Sequence, residues 1–295
     1  MESKPLVSII LVNYNGMKDT VDCVKSIKEN HYNNYNIIVI DNGSTEHTED
    51  SMLQYIKKNS EYIRLEQNLG FSGGNNVGIQ YAQEKFNPDY VLLLNNDTTV
   101  DTYFLINLIE AEKRYPHCLL TGKIYYHSDQ NRLWFAGGEY DRKTSRTIHY
   151  GFNEADNGDY DESKEISFAT GCLMFIPKEV LNKAGLLSEE FFLYYEDTDY
   201  CCKVIDSGFK IIYCPDCIIY HKVSVSTKKN SPLQNYYMIR NSLYIVDKYN
   251  KKSANGCHYI RMYYLKKVIK RECQLKILFK AFKDYLKSIM GKAEI

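Results

Sequence analysis

Residues 6–12 (LVSIILV) form a continuous apolar, β-branched run that ends at Asn13, Tyr14, Asn15 and Gly16. A run without polar alternation is the pattern of a strand covered on both faces, as in a parallel sheet. Residues 17–29 then read as a helix and residues 35–40 as a second strand. Small polar residues interrupt the chain at 41–45 (DNGST), where Ser44 or Thr45 can cap a helix running to residue 58. The alternation repeats with a short strand at 62–66, a polar glycine-rich loop at 68–76 (NLGFSGGNN), a helix to residue 82 and an apolar run at 90–94. Strand, helix, strand, helix predicts a doubly wound α/β sheet, mostly parallel, with helices on its faces. Ligands of such sheets bind beyond the carboxyl ends of the strands, which is where Asn13, Asp41, Asn68 and the Asn95-Asn96-Asp97 step fall.

After a helix at 102–114 the periodicity lapses, and the Gly, Asp and Tyr-rich stretch 137–161 is expected to form loops on the acceptor side. Regularity returns as a strand at 167–176 containing Gly171, an aromatic segment at 191–195 and a short helix at 197–207 stopped by Gly208. Two short strands follow, 211–213 and 218–221, on either side of Pro215. From residue 234 onward the pattern is helical. Leu265, Val268, Ile269, Leu275, Phe279, Phe282 and Leu286 share a stripe roughly 140° wide, with Ile277, Leu278 and Tyr285 off it. The expected organisation is an α/β unit over residues 1–230 and a basic amphipathic helical extension over 231–295.

Composition adds two constraints. The chain has 295 residues, 44% of them apolar, which is enough for a substantial core, and its formal net charge is zero. That zero conceals an asymmetry, because residues 240–295 hold 14 Lys and Arg against four Asp and Glu, a charge of +10 that leaves −10 on the rest. A basic tail with interleaved apolar residues suits an anionic surface such as lipid headgroups; packing on the body or on a second copy is the alternative. No stretch reaches the ~18 uncharged apolar residues of a membrane span, and no nucleic-acid partner is expected. Nine cysteines, an odd number, point to reduced thiols. Cys214 and Cys217 have C-x-x-C spacing but lie between apolar runs with no second pair to complete a zinc site, so they read as buried turn residues. With no charged, apolar and small-residue series before the first strand, a cytoplasmic protein is expected.

The segments VSIILVNYNG, VIDNGS, NLGFSGGNNVG, LLLNNDT and FFLYYEDTDYC, followed by IIYH, together resemble glycosyltransferase family 2 of the GT-A fold, and in particular its bacterial rhamnosyltransferase-like members. The resemblance spans residues 6–241. It implies a nucleotide-sugar half at about 1–100, an acceptor half at about 101–230, and transfer of rhamnose or a hexose from a dTDP- or UDP-linked donor. The acceptor would be a saccharide or lipid-linked hydroxyl in polysaccharide or glycoconjugate synthesis. Asp41 corresponds to the carboxylate that bonds the nucleotide base or ribose, and is otherwise an Asx-turn residue starting the next helix. Asn13 and Asn96 fall on the same nucleotide side. In the loop with Asn68, Gly70, Gly73, Gly74 and Asn76 the glycines would let backbone approach the donor. Asp97 takes the place of the last acid of a D-x-D motif, holding Mg²⁺ or Mn²⁺ across the donor diphosphate, while Asn95 stands where the first acid would be. His221 matches a further metal ligand, although a lone histidine at a strand end is more often structural. Arg240, in YYMIRN, would reach the diphosphate or else form a surface ion pair.

Asp197, in Glu196-Asp197, resembles the family's general base, which takes the acceptor's hydroxyl proton as the oxygen attacks the anomeric carbon with inversion. The competing reading is that Asp197 or Asp199 caps the following helix, whose dipole would lower a carboxylate pKa. An aromatic wall of Phe191, Phe192, Tyr194 and Tyr195 would oppose that by desolvation. Gly171, in ATGCLMF, resembles a glycine that keeps the acceptor cleft open, or is a simple strand glycine. A calcium loop starting at Asp197 is excluded by Cys202 at its sixth position and the lack of a closing glutamate. Adjacent carboxylates make a poor glycosidase pair. A nucleotidyltransferase would need a basic glycine-rich loop beside the first strand, which is missing. The rival of a different class is a degenerate GT-A protein that only binds nucleotide or partners, suggested by Asn95; Asp97, Asp197 and His221 together argue against it.

Overall fold

Val7, Ile9, Ile10 and Leu11 are completely buried, as an unbroken apolar run requires, and β1 (Val7–Asn13) lies inside the sheet between two parallel neighbours. The computed structural model describes residues 4–223, 231–250 and 254–295. Its first half alternates as predicted: α1 (Met17–Lys28), β2 (Tyr35–Asp41), α2 (Asp50–Asn59), β3 (Glu61–Arg64), α3 (Gly70–Lys85) and β4 (Tyr90–Leu94). The second half adds β5 (Thr98–Val100), α4 (Phe104–Arg114), β6 (Leu119–Tyr126), β7 (Asp129–Phe135), β8 (Gly138–Asp141), β9 (Arg146–His149) and β10 (Lys164–Ile166). β11 (Leu173–Pro177), α5 (Lys178–Ala184), α6 (Glu196–Asp206) and β12 (Ile211–His221) complete the α/β unit.

The main sheet runs β10-β12-β6-β11-β4-β1-β2-β3, with β5 beside β12 and β7 beside β6. β1, β2, β3 and β4 are mutually parallel, while β11 is antiparallel between β4 and β6. The chain leaves β1 toward β2 and returns to β1's other side as β4. The ends of β1 and β4 therefore flank the point where strand order reverses, which in open α/β sheets is where a crevice forms.

Several expected elements differ. The glycine-rich loop is already helical from Gly70, because Gly74 and Gly78 let α3 lie directly on β1: an added Cβ would meet Val12 at 2.8 Å and Ile10 at 2.5 Å. The expected strand at 167–176 begins only at Leu173, leaving Gly171 in a turn. The two strands around Pro215 are one strand with a register shift between Cys214 and Ile218. Cys214 and Cys217 are fully buried, and all nine cysteines are unpaired. Within 137–161 the chain forms the β8–β9 hairpin rather than loops alone.

Three helices end the chain: α7 (Pro232–Tyr249), α8 (Ala254–Ile269) and α9 (Leu275–Leu286). Ser231 caps α7, accepting a hydrogen bond from Gln234 N–H, with Pro232 in the first turn. The helices share an apolar core of Tyr236, Tyr237, Leu243, Ile260, Tyr264 and Ile277, against which Phe192, Leu193 and Tyr194 of the α/β unit pack. Much of the expected stripe faces away from the body. Ile277 and Leu278, which lie off it, are 4% exposed, whereas Ile269, Phe279 and Leu286 on it are 76%, 65% and 70% exposed.

Candidate active site

Asn13 ends β1 fully buried and ties the strand ends together. Its carbonyl accepts from Gly16 N–H at 3.0 Å and the Thr20 hydroxyl at 3.2 Å, and its amide donates to Ser44. Asn96 reaches the same knot by donating to the Thr20 hydroxyl at 2.9 Å. Asp41, at the end of β2, is also fully buried. One carboxylate oxygen accepts from Ser44 N–H, the Asx-turn bond, and the other accepts from the Tyr62 hydroxyl and the Arg64 guanidinium at 2.9 Å. The group facing solvent here is Arg64, whose side chain is 57% exposed.

The glycine-rich segment does structural work that its composition did not reveal. Asn68 accepts from Gly70 N–H and from the Asn42 amide, closing the turn into α3. Gly70 adopts φ +76, and a Cβ there would lie 2.3 Å from the Phe192 carbonyl oxygen, so only glycine fits. Gly74 faces Val12 and Asn42. Asn76 is buried and clamps a later segment, donating to Leu187 O and Glu189 while accepting from Leu187 N–H. Gly74 and Asn76 thus pack the interior, which corrects the expectation that they line the donor.

Asp97 and His221, far apart in sequence, meet at the edge of the sheet. His221 Nε2 stands 3.2 Å from Asp97 Oδ1, with side chains 8% and 13% exposed. β12 carries His221 to this point by pairing with β5, His221 opposite Thr98. Lys222 anchors the strand end to α1 through Asp19 at 2.9 Å and Asp22 at 2.7 Å. The imidazole Nδ1 is buried without a hydrogen-bond partner among the described residues, and the Trp134 ring stands against it. One carboxylate oxygen and one imidazole nitrogen suit Mg²⁺ or Mn²⁺. The described residues form no cluster of three or more His, Cys, Asp or Glu that could hold a metal, so an ion here would need oxygen ligands beyond this pair.

Asp197 lies in the first turn of α6, half-buried. One oxygen accepts from Gly171 N–H at 3.2 Å, the other from Thr198 N–H at 2.7 Å and the Thr198 hydroxyl at 3.2 Å. Burial pushes its carboxyl above the ordinary value, against the pull of these bonds. Glu196 is pushed well above its own by burial and then by the charge of Asp197. The capping role falls to neither expected residue: Asp199 is buried and bonds the Tyr249 hydroxyl and Lys248, both at 2.8 Å. The aromatic wall is also only partial, because Phe191 packs edge-on to Tyr244 and Phe192 stacks on Tyr237.

Tyr194 and Tyr195 enter α6 with φ +66 and +72, the left-handed region that L side chains avoid. Asn241 of α7 holds this segment by donating to Leu193 O at 3.0 Å and Tyr194 O at 2.8 Å. Phe71 borders the site: a Cβ on Gly171 would lie 2.9 Å from its ring and 3.6 Å from Asp197 Cβ. Neither Asn241 nor Phe71 carried a legible signal in the sequence. Beside Tyr195 opens a cavity of about 300 Å³ lined by Arg146, Gln234, Tyr259, Tyr263 and Lys267, among others. A larger depression, about 620 Å³, lies beside Asp89 and Tyr90 at the opposite end of β4 from Asp97 and contains none of the site residues.

Arg240 occupies neither place expected of it. It is fully buried between Tyr236 and Tyr237, its guanidinium 5.2 and 5.0 Å from their ring centroids, and it donates to Gly291 O and Asn241. A cation enclosed this way is neither a diphosphate ligand nor half of a surface pair; it positions Asn241.

The mostly parallel sheet with its switch point beyond β1 and β4, flanked by helices, has the architecture of the GT-A fold. A sequence model of glycosyl transferase family 2 matches residues 8–185, more than half of the chain, and the protein belongs to that family. It is 26% identical over 256 residues to the low-salt glycan biosynthesis hexosyltransferase Agl10 of Haloferax volcanii, covering 86% of this chain and 79% of that one. To the dTDP-rhamnosyl transferase RfbF of Shigella flexneri it is 22% identical over 248 residues, covering 81% and 79%. Among solved structures it resembles GalNAc-T7 with UDP, GalNAc and Mn²⁺ (TM-score 0.65, 16% identity, 98% of this chain), spanning only 57% of that protein's length. It also resembles residues 1–349 of S. aureus TarS (TM-score 0.60, 16% identity), covering 96% of this chain and 80% of that one. These likenesses establish the GT-A fold.

Proposed function

We propose that this glycosyltransferase moves a sugar from a nucleoside-diphosphate donor to an acceptor hydroxyl by one inverting displacement that depends on a divalent metal. The observation that carries the reading is the turn at Gly171 and Cys172. Asn95 N–H donates to Cys172 O at 3.0 Å, and Gly171 N–H donates to Asp197 at 3.2 Å, so two adjacent residues tie the Asn95-Asn96-Asp97 step to the carboxylate.

Asp97 and His221 would hold Mg²⁺ or Mn²⁺, which when bound offsets the diphosphate charge and stabilises the departing nucleoside diphosphate. Asp197 takes the acceptor's proton while the oxygen–anomeric carbon bond forms and the bond to the diphosphate oxygen breaks. A carboxyl raised by burial is a stronger base than an ordinary aspartate. The acceptor, a saccharide or lipid-linked sugar, would approach by the cavity beside Tyr195. The nucleoside would lie over the ends of β1 and β2, near Asn13, Asn68 and Asn96; Asp41 would reach base or ribose by exchanging its bond to Tyr62 or Arg64. The two relatives favour rhamnose from dTDP-rhamnose or a hexose as the transferred sugar, in glycan synthesis; a UDP-linked donor is the other candidate carrier, and the reaction would run on the cytoplasmic side. The binding-only alternative keeps one observation, Asn95 in place of an acid.

The test is release of nucleoside diphosphate from a panel of nucleotide sugars with Mg²⁺, Mn²⁺ or EDTA, by wild type, Asp97→Ala and Asp197→Asn. Metal-dependent turnover of one donor that both substitutions abolish is the expected result. Donor binding without turnover of any donor, with candidate acceptors supplied, would establish the binding-only reading instead.

A further inference from the structure

We propose that the outer face of α8 and α9 is a docking surface for an anionic lipid bilayer. This inference stands apart from the proposed reaction, because it uses none of the residues that bind donor or metal or move a proton. At about 100° per residue, Leu275, Phe279 and Leu286 line one narrow stripe of α9, and the residues that pack inward, Ile277, Leu278 and Ala281, lie on another. The inward face is complete without the stripe: Ile277, Leu278 and Ala281 are at most 4% exposed, while Leu275, Phe279 and Leu286 are 48%, 65% and 70% exposed. α8 repeats the division, with Ile260 and Tyr264 buried and Leu265 and Ile269 exposed at 41% and 76%. Arg261 stacks over Phe282, 5.6 Å from its centroid, joining the two helices.

What flanks this face decides its partner. Lys266, Lys270, Arg271, Lys276, Lys283 and Lys287 are all exposed. Residues 254–295 contain ten Lys and Arg against three acids, and one of those acids, Asp284, is buried against Lys280 and Tyr236. Two copies of so basic a face would repel each other, which disfavours self-association. An apolar ridge beside a row of lysines matches headgroups and acyl chains of an anionic interface, where the ridge enters and the lysines stay at the charged surface. No helix among the described residues is long and apolar enough to cross a membrane, so the mode is adsorption. α7 links this surface to the site, since Asn241 holds the segment that leads into Glu196 and Asp197.

The experiment is cosedimentation of the full chain with vesicles of phosphatidylcholine alone or mixed with phosphatidylglycerol. Wild type is expected to pellet with the anionic vesicles and to be released by salt. Phe279→Glu with Leu286→Glu should weaken that binding by about tenfold or more. Lys276→Gln with Lys283→Gln and Lys287→Gln should weaken it as well, and donor hydrolysis without acceptor should be unchanged in both variants. Binding that is equal for wild type and the glutamate variant, or absent with anionic vesicles, would overturn the proposal. So would a concentration-dependent dimer in equilibrium sedimentation that the glutamate variant dissolves, which would make the face a contact between copies.

Discussion

Trp134 stands edge-on to His221, ring centroids 4.6 Å apart and planes at 84°. The contact orients the imidazole with Nε2 toward Asp97 and Nδ1 away from any partner among the described residues. Metal-binding histidines usually gain their orientation from a hydrogen bond at the second nitrogen. Here an aromatic wall supplies it.

Trp134 is also the only tryptophan in the sequence, so its emission reports on this one place. Mn²⁺ is expected to quench the fluorescence saturably, Mg²⁺ to reverse the quenching by competition, and His221→Ala or Asp97→Ala to remove the response. Unchanged fluorescence in a preparation whose turnover requires Mn²⁺ would place the ion elsewhere and leave Asp97–His221 as a structural pair.

The acidity of Asp197 gives a prediction of opposite sign for activity and stability. A base works only when ionised, so kcat/KM should fall as pH drops through a pKa above the ordinary 3.8, and Asp197→Asn should lower kcat by about 10²–10⁴-fold and flatten that limb. A carboxyl raised in the folded state makes the folded protein bind protons more tightly than the unfolded chain. Its ionisation therefore costs stability as pH rises through its pKa, so the Tm of Asp197→Asn relative to wild type should rise from acid to neutral pH. A Tm difference that is independent of pH would show that the carboxyl is not raised in the folded state.

The strands of the first half were legible because strands buried on both faces are written as unbroken apolar runs, and 6–12, 35–40 and 90–94 are such runs. The start of α3 was not, since Gly70, Gly73, Gly74 and Gly78 argue locally against a helix, and it is contact with Phe192, Leu69, Val12 and Ile10 respectively that requires them there. Periodicity announced two faces on α9 but could not say which meets the body; Ile277 and Leu278 won because they fill the space beside Tyr236 and Tyr237. The proximity of Asp97 and His221 came from motif resemblance alone, for nothing local in either segment encodes the pairing of β5 with β12. In YYMIRN the charged residue drew attention, while its neutral neighbour Asn241 is the one that bonds the segment leading into α6.

Asn241 supports the last prediction. Its amide donates to Leu193 O and Tyr194 O, and its carbonyl accepts from Arg240 Nε, so one fully buried side chain holds the two tyrosines in the left-handed region. Asn241→Ala leaves two carbonyls and a buried guanidinium without that partner, at a cost of about 2–4 kcal/mol in denaturant unfolding. Catalysis should fall as well: kcat drops because the entry to α6 that sets Asp197 is no longer fixed, while KM for the donor changes little. A single Asn241→Ala variant that unfolds more easily but turns over at the wild-type kcat would show that the clamp holds the fold and does not position the base.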